Sequence, residues 1–343
     1  MKHLPDVGRP VRAWMRARAA PAIAMAAFLL GYGADVPAQD RNSRIAFSTE
    51  RDGNYEIYVM RPDGTGLSRL TQNPAMDTLP MWSSTRRRLA FWSARNGEHA
   101  IYTMDADGSG VRKLVTVPPG TYGWAWSPDG NSLAFSSERD GDDEIYVMDA
   151  DGGRWRNISN HAATLEYAPA WSPDGERVAF VSSRDGPRRI YAVDADGGNA
   201  ELLITPGAVE EDPAWSPDGR RLAFLSRRRD LVWKDVWVAD VGGANARNLT
   251  LPADGEQESN ASKSAWSPDG RQIAYGYYRL GDPNARAEVF TTSVDDPDPR
   301  NLTEHPARDW TPVWFDPRGL EASPLHSRLT TWGWPRHTGG RGR

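Results

Sequence analysis

Six tryptophans recur at nearly fixed spacing, Trp82, Trp126, Trp171, Trp215, Trp266 and Trp314, and five residues ahead of them stand Asp77, Thr121, Glu166, Glu210, Ala261 and Asp309. Between these positions recur arginines, each in or near an Arg-Asp-Gly step: Arg51, Arg95, Arg139, Arg184 and Arg227, with Arg279 a looser match. Gathered around one axis, such residues would make an acidic mouth within a basic collar. That arrangement could take a peptide, a cation or a sugar. The blander reading is ion pairing between blades, the arginine of one repeat to the acid of the next, and it gains weight because every repeat carries the pattern. Departures from the repeat single out Tyr122, Trp124, Tyr167, Trp233 and Trp310, which add aromatic surface near the same positions.

Other chemistry is sparse. The turns Asp105–Gly108, Asp149–Gly152 and Asp194–Gly197 carry the Asp-x-Asp-Gly order but lack the further ligands of an EF-hand loop, and a hairpin turn accounts for them. A divalent cation at the channel mouth is the better place for a metal, and no other cofactor is expected. His99, His161, His305, His326 and His337 form no cluster at metal-ligand spacing, and no Gly-x-Ser-x-Gly elbow or phosphate-binding glycine loop occurs. With no cysteine, disulfides and thiolate metal sites are excluded. A formal charge of −5 gives no basic stripe for nucleic acid. Asn157, Asn248, Asn260 and Asn301 open formal glycosylation sequons, three of which restate the repeat.

The elements that would position these side chains follow from the repeat itself. Trp-Ser-Pro-Asp-Gly reads intact at Trp126–Gly130, Trp171–Gly175, Trp215–Gly219 and Trp266–Gly270, with worn copies at Trp82 and Trp314. Ser, Pro, Asp and Gly in that order suit a type I turn, proline presetting φ and glycine taking the positive φ. An apolar run follows (Leu133-Ala134-Phe135), then a polar tip, a β-branched and aromatic run (Glu144-Ile145-Tyr146-Val147-Met148), a second turn and a last short run. Such runs between Gly, Asp and Pro turns are antiparallel strands. The tryptophan steps of 44, 45, 44, 51 and 48 residues have the period of four-stranded propeller blades. Each tryptophan reads as core packing between sheets, worth roughly 3–5 kcal/mol if truncated.

Six units begin at Ile45, Leu89, Leu133, Val178, Leu222 and Ile273. The first lacks a preceding Trp phrase and the last Trp phrase lacks a following unit. The expectation is therefore an all-β, six-bladed β-propeller of four-stranded antiparallel blades, closed by pairing the Trp314 strand with the Ile45 strand, which removes the open sheet edge. Strand alternation puts the Trp-Ser-Pro-Asp-Gly and Asp-x-Asp-Gly turns on one face. The Arg-Asp-Gly tips and the connections between blades fall on the other, where binding is expected.

Residues 1–38 read as a secretory signal: Arg9, Arg12, Arg16 and Arg18, an apolar stretch over residues 19–30, then Val36-Pro37-Ala38 before Gln39. The stretch is short for a membrane span, so no stable membrane insertion is expected, although an uncleaved anchor stays open. The absence of cysteine excludes a lipoprotein. The propeller is assigned to residues 42–334 and a disordered tail to 335–343. Residues 321–334 echo the phrase without a definite place, and Asp254–Lys263 is a polar surface loop that lengthens the 51-residue step.

These motifs together, Trp-Ser-Pro-Asp-Gly, Leu-Ala-Phe, Ser-x-Arg-Asp-Gly, Glu-Ile-Tyr-Val-Met-Asp, Asp-Gly-Gly and Asn-Leu-Thr, resemble the repeat of TolB-type β-propellers over nearly the whole chain after residue 40. TolB itself is a periplasmic protein of the Tol–Pal system with an α/β domain ahead of its propeller. No room for that domain separates the signal from the first strand here, so the resemblance is to a stand-alone propeller and Pal binding does not carry over. Similar repeats also precede the hydrolase domain of prolyl-oligopeptidase-like peptidases. What the resemblance implies is an exported, non-catalytic, monomeric binding module, periplasmic or secreted, recognising a protein or peptide. The expected site, read from the repeat spacing and strand alternation, is Asp77, Glu166, Glu210, Asp309, Arg51, Arg95, Arg139, Arg184, Arg227, Tyr122 and Trp310. The alternatives are an envelope scaffold and a saccharide-active enzyme like the oligogalacturonate lyases. The enzyme would need His161 and His305 to converge beside a metal.

Overall fold

A computed structural model of the chain describes residues 43–83, 85, 87–118, 120–161, 165–204, 209–227, 234–250, 259–279 and 286–315. The expected signal, Trp233, the 321–334 segment and the tail lie outside the described residues. The strands follow in chain order. They are β1 (Arg44–Thr49), β2 (Glu56–Met60) and β3 (Ser68–Arg69), then β4 (Asp77–Ser83), β5 (Arg88–Ser93), β6 (Ala100–Asp105) and β7 (Arg112–Thr116). Next come β8 (Thr121–Trp126), β9 (Ser132–Ser137), β10 (Glu144–Asp149) and β11 (Arg156–Asn157), then β12 (Glu166–Trp171), β13 (Arg177–Ser182), β14 (Arg189–Asp194) and β15 (Glu201–Leu202). Then follow β16 (Val209–Trp215), β17 (Arg221–Arg227), β18 (Lys234–Asp240) and β19 (Arg247–Asn248), with β20 (Ser259–Trp266), β21 (Gln272–Arg279), β22 (Glu288–Ser293), β23 (Arg300–Asn301) and β24 (Asp309–Phe315) closing the series.

They form six four-stranded antiparallel sheets, five of them sequential and one ordered β24-β1-β2-β3. This is the closure expected from the repeat: Ile45 stands opposite Trp314, and Ala46 opposite Val313. The first strand of each sheet touches its counterparts in the two neighbouring sheets, β24 to β4, β4 to β8 and so on round to β20 and β24. The architecture is a six-bladed β-propeller with these six strands innermost.

Six apolar clusters hold the ring, one in each gap between neighbouring blades. The gap between the second and third blades, for example, buries Met81, Ala90 and Ile101 against Trp126, Leu133 and Phe135. Each phrase tryptophan packs into the gap toward the preceding blade: Trp126, Trp266 and Trp314 are buried, while Trp82, Trp171 and Trp215 are half-buried against their clusters. Trp215 and Trp266 also donate their Nε1–H to Ala170 and Ala214 carbonyls of the blade before, at 3.2 and 3.0 Å.

The turn chemistry appears as the phrase predicts. Gly130 N donates to Ser127 O at 2.9 Å with φ +70°, and Ser127 Oγ donates to Asp129 Oδ1 while accepting from Ser132 N. Neighbouring phrases stack: a Cβ on Gly175, Gly219 or Gly270 would sit 3.6–3.7 Å from Pro128, Pro173 or Pro217 of the preceding blade. One expectation is corrected. Ser259–Lys263, placed in a surface loop from sequence, begins β20: the first four residues pair with Gly276–Arg279 of β21, and Lys263 is left unpaired at a register shift. Among the described residues, no helix is long and apolar enough to cross a membrane.

Candidate binding site at the channel mouth

The six acid-position residues lie within the first three places of the six innermost strands, on the face that also carries the Arg-Asp-Gly tips. Asp77, Glu166, Glu210 and Asp309 are fully buried, and Ala261 is buried in the equivalent place. Three of the acids are engaged by an arginine. Arg95 donates to Asp77 at 2.6 Å and Arg184 to Glu166 at 2.6 Å, and Arg51 meets both oxygens of Asp309 at 3.1 Å. Ser93 and Ser182 add a hydrogen bond to Asp77 and Glu166. Burial pushes the Asp77 carboxyl above the usual range even though Arg95 and Ser93 pull the other way.

These pairs run within one sheet, between its first strand and the tip after its second. They do not run from blade to blade as the spacing suggested. The registers explain this: Asp77 stands opposite Ser93, Glu166 opposite Ser182 and Asp309 opposite Thr49, so the arginine two residues on folds back over its own blade. There each guanidinium also lies over two rings, Arg51 over Phe47 and Tyr58, Arg95 over Phe91 and Tyr102, Arg184 over Phe180 and Tyr191. In the third blade Thr121 replaces the acid, and Arg139 stays exposed, 3.8 Å from Asp140 and over Trp155. Arg227 stands 3.6 Å from Glu211, the residue after Glu210. The side chain of Arg279 is outside the described residues.

What remains accessible is the two positions after each acid. Thr78, Tyr122, Tyr167, Ser262 and Trp310 are half-buried, and so are Leu79, Gly123, Ala168, Asp212, Lys263 and Thr311 behind them; only Glu211 is closed over. The second set has positive φ, between 20° and 56°, in all six blades, and the ladder register shifts there each time. These are β-bulges, where one strand carries extra residues that the partner does not pair. In four blades proline follows at once, Pro80, Pro169, Pro213 and Pro312, at a place where a missing N–H costs no ladder bond. A Cβ on Gly123 would meet Ala168 N at 3.5 Å, so neighbouring bulges abut and together line the channel.

Chemistry around this lining is uneven. In the first blade Trp310 stacks on Tyr55 at 5.6 Å. Tyr122 donates to Asp143, and Arg188 lies 3.2 Å from the Tyr167 hydroxyl. Burial pushes the Tyr167 hydroxyl up to about 12, so it remains neutral across the physiological range. The same Arg188 reaches Glu211 at 2.7 Å, and Glu211 gathers Arg227 and Lys234 as well. Ser48 Oγ, Thr311 Oγ1 and Thr78 Oγ1 form a hydroxyl chain at 2.8 and 3.0 Å, with Leu79 N donating to Ser48.

Sequence reasoning missed the bulges, although a proline three residues after the acid in a central strand was a signal for them. It also missed that the repeat is locked by its own polar residues. The tip aspartate accepts from a strand tyrosine, Asp52 from Tyr58 at 2.5 Å and Asp140 from Tyr146 at 2.6 Å. The sequon asparagines donate to third-strand acids, Asn157 to Glu144, Asn248 to Asp235 and Asn301 to Glu288, at 2.6–2.9 Å. His161 follows the third blade and His305 the sixth, three blades apart on opposite sides of the ring. Among the described residues, no three His, Cys, Asp or Glu side chains are placed to hold a metal ion.

A family model described as the TolB beta propeller domain matches residues 36–122 and 111–263. Among solved structures, TolB from Acinetobacter baumannii is similar at 24% identity and a TM-score of 0.67, covering 80% of this chain and 67% of that one. A putative TolB from Agrobacterium tumefaciens is similar at 20% identity and a TM-score of 0.59, over 80% and 98% of the two chains. An oligogalacturonate lyase from Vibrio parahaemolyticus reaches 18% identity and a TM-score of 0.50, over 76% and 74%. At these identities the likeness concerns the fold. A search of curated proteins finds no match.

Proposed function

The chain belongs to the TolB β-propeller domain family, and from that premise we propose that it is an exported, non-catalytic module that binds a protein or peptide segment at the mouth of its channel. The single observation that carries this reading is where the repeat breaks down. The six blades repeat their cores and turns, and three of them a buried acid–arginine pair, yet the position one past the acid place holds Thr78, Tyr122, Tyr167, Glu211, Ser262 and Trp310, all but Glu211 accessible. Symmetry held by packing and dropped at the accessible rim is what an asymmetric ligand requires. Half-buried tyrosine and tryptophan supply large contact area at low entropic cost, the usual make-up of protein-recognition hot spots.

Export rests on the order of residues 1–38, with a periplasmic or secreted location and a monomeric state as parts of the same proposal. A saccharide-active enzyme would need His161 and His305 side by side, and their place in opposite blades lends that reading no support.

The test is selection from a displayed random-peptide library, wild type against a Tyr122→Ser, Tyr167→Ser, Trp310→Ser variant. Wild type should select a consensus peptide that the variant binds at least tenfold more weakly. A propeller that selects no consensus, or a variant that binds it equally well, overturns the proposal.

A further inference from the structure

Two of the six bulge residues are charged, and they are neighbours. Asp212 belongs to the fifth blade and Lys263 to the sixth, while the other blades place Leu79, Gly123, Ala168 and Thr311 at this level. Each keeps part of its surface open to the channel although protein surrounds it. Enclosure penalises both charges: burial pushes the Asp212 carboxyl up and the Lys263 ammonium down, and each charge partly offsets the other's shift.

If Lys263 served only to neutralise Asp212, its ammonium would be expected to bond the carboxylate. Among the described residues Lys263 Nζ donates no hydrogen bond and makes no ion pair, with Asp212 or with any other group. An ammonium has three donors, and here they are left to the channel and not to the protein. The sequence around it departs from the repeat as well. Ser264 stands where four blades have proline, and its buried hydroxyl also lacks a partner. Ser262, on the other flank, fits because Gly276 opposes it: a Cβ there would lie 2.3 Å from Ser262 Oγ. Above this level the same sector holds Arg188, Arg227 and Lys234 around Glu211.

We propose that Lys263, flanked by Ser262 and Ser264, is a carboxylate-binding subsite deep in the channel, and that the bound peptide inserts an acidic group there. A carboxylate offers several acceptor positions to an ammonium and adjacent hydroxyls, and a low-dielectric channel strengthens such a charge-assisted bond. The Asp212 charge partly offsets the penalty that burial places on the Lys263 ammonium. This inference rests on the peptide-binding reading, and the aromatic rim and the channel cation divide the work: stacking outside, charge inside.

The experiment uses the peptides selected on wild type. Their sequences should be enriched in Asp or Glu, or should bind through a free C-terminus. Synthetic versions with Asp/Glu changed to Asn/Gln, or with an amidated C-terminus, distinguish the two sources of carboxylate. Lys263→Met should weaken binding of the carboxylate peptide about tenfold to a hundredfold and leave the neutralised peptide unchanged. Because Lys263→Met leaves Asp212 alone, the double change Asp212→Asn, Lys263→Met is tested beside it and should show the same selective loss. Equal binding of charged and neutralised peptides by wild type, or an undiminished preference in the double variant, overturns the subsite while leaving peptide recognition intact. Selection of no consensus at all overturns both.

Discussion

Asp77 is accepting from Arg95 and Ser93 in a place closed to water, and that fixes what its loss would do. Asp77→Ala would leave a guanidinium stacked on Phe91 and Tyr102 without its counter-ion, and removing one partner of a buried pair costs about 3–5 kcal/mol. Urea unfolding should show that loss, and Asp77→Asn, which keeps an acceptor oxygen, should lose less. Arg139→Ala is the contrast: with Thr121 in place of the acid, its side chain is exposed, and the change should stay within about 0.5 kcal/mol. The acids and arginines were visible in the sequence as two rings, but their use was not. Charge and spacing say that partners exist; only the strand register says that Asp77 and Arg95 share one blade. The residues that do remain accessible, Thr78 to Trp310 and Leu79 to Thr311, sit one and two places along from the acids.

At the scale of elements, the Trp-Ser-Pro-Asp-Gly turn was legible in full because its chemistry is local. Serine, proline, aspartate and glycine each fill a position that four consecutive residues define. Its pH response follows. The Ser127 hydroxyl and the Asn131 N–H hold the Asp129 carboxyl below the usual carboxylate range. A lowered native value means that the unfolded state takes up protons first. The turn's contribution is thus present above an ordinary aspartate value of about 3.9 and is lost as pH falls through the native one. Unfolding midpoints measured from pH 6 downward should fall less steeply for Asp129→Asn than for wild type, and a parallel decline would contradict the assignment. The bulge of the innermost strand was not legible in the same way. Its proline signal is local, but the need for it comes from packing six such strands around one axis. The misplacement of Ser259–Lys263 has the same origin: a polar stretch pairs as strand because a channel, unlike a core gap, accepts polar side chains.

For the whole molecule the decisive contact joins the chain's two ends. Ending the chain before Asp309 would remove β24, expose the edge of β1 and take Trp314 and Phe315 out of their clusters. Such a truncation should lose cooperative unfolding and run as aggregates in size-exclusion chromatography, since an unpaired edge templates association. A monodisperse, cooperatively folding product would show that closure is dispensable. The rim and channel proposals belong to this scale too, because Trp310 and Tyr55 meet only through the closing sheet, and Asp212 and Lys263 only across two blades.

By itself the sequence determined the blade: four short strands, two local turns, a tryptophan for each gap, and the number of repeats. Those features depend on residues close along the chain, so their order is enough to read them. The tertiary structure decided which side chains are consumed and which are free to act, because that depends on the ring. Closing six blades buries three of the acids beside their own arginines and turns the following two positions toward the channel. No spacing along the chain states which of two adjacent residues will face an axis that exists only once the ring is closed.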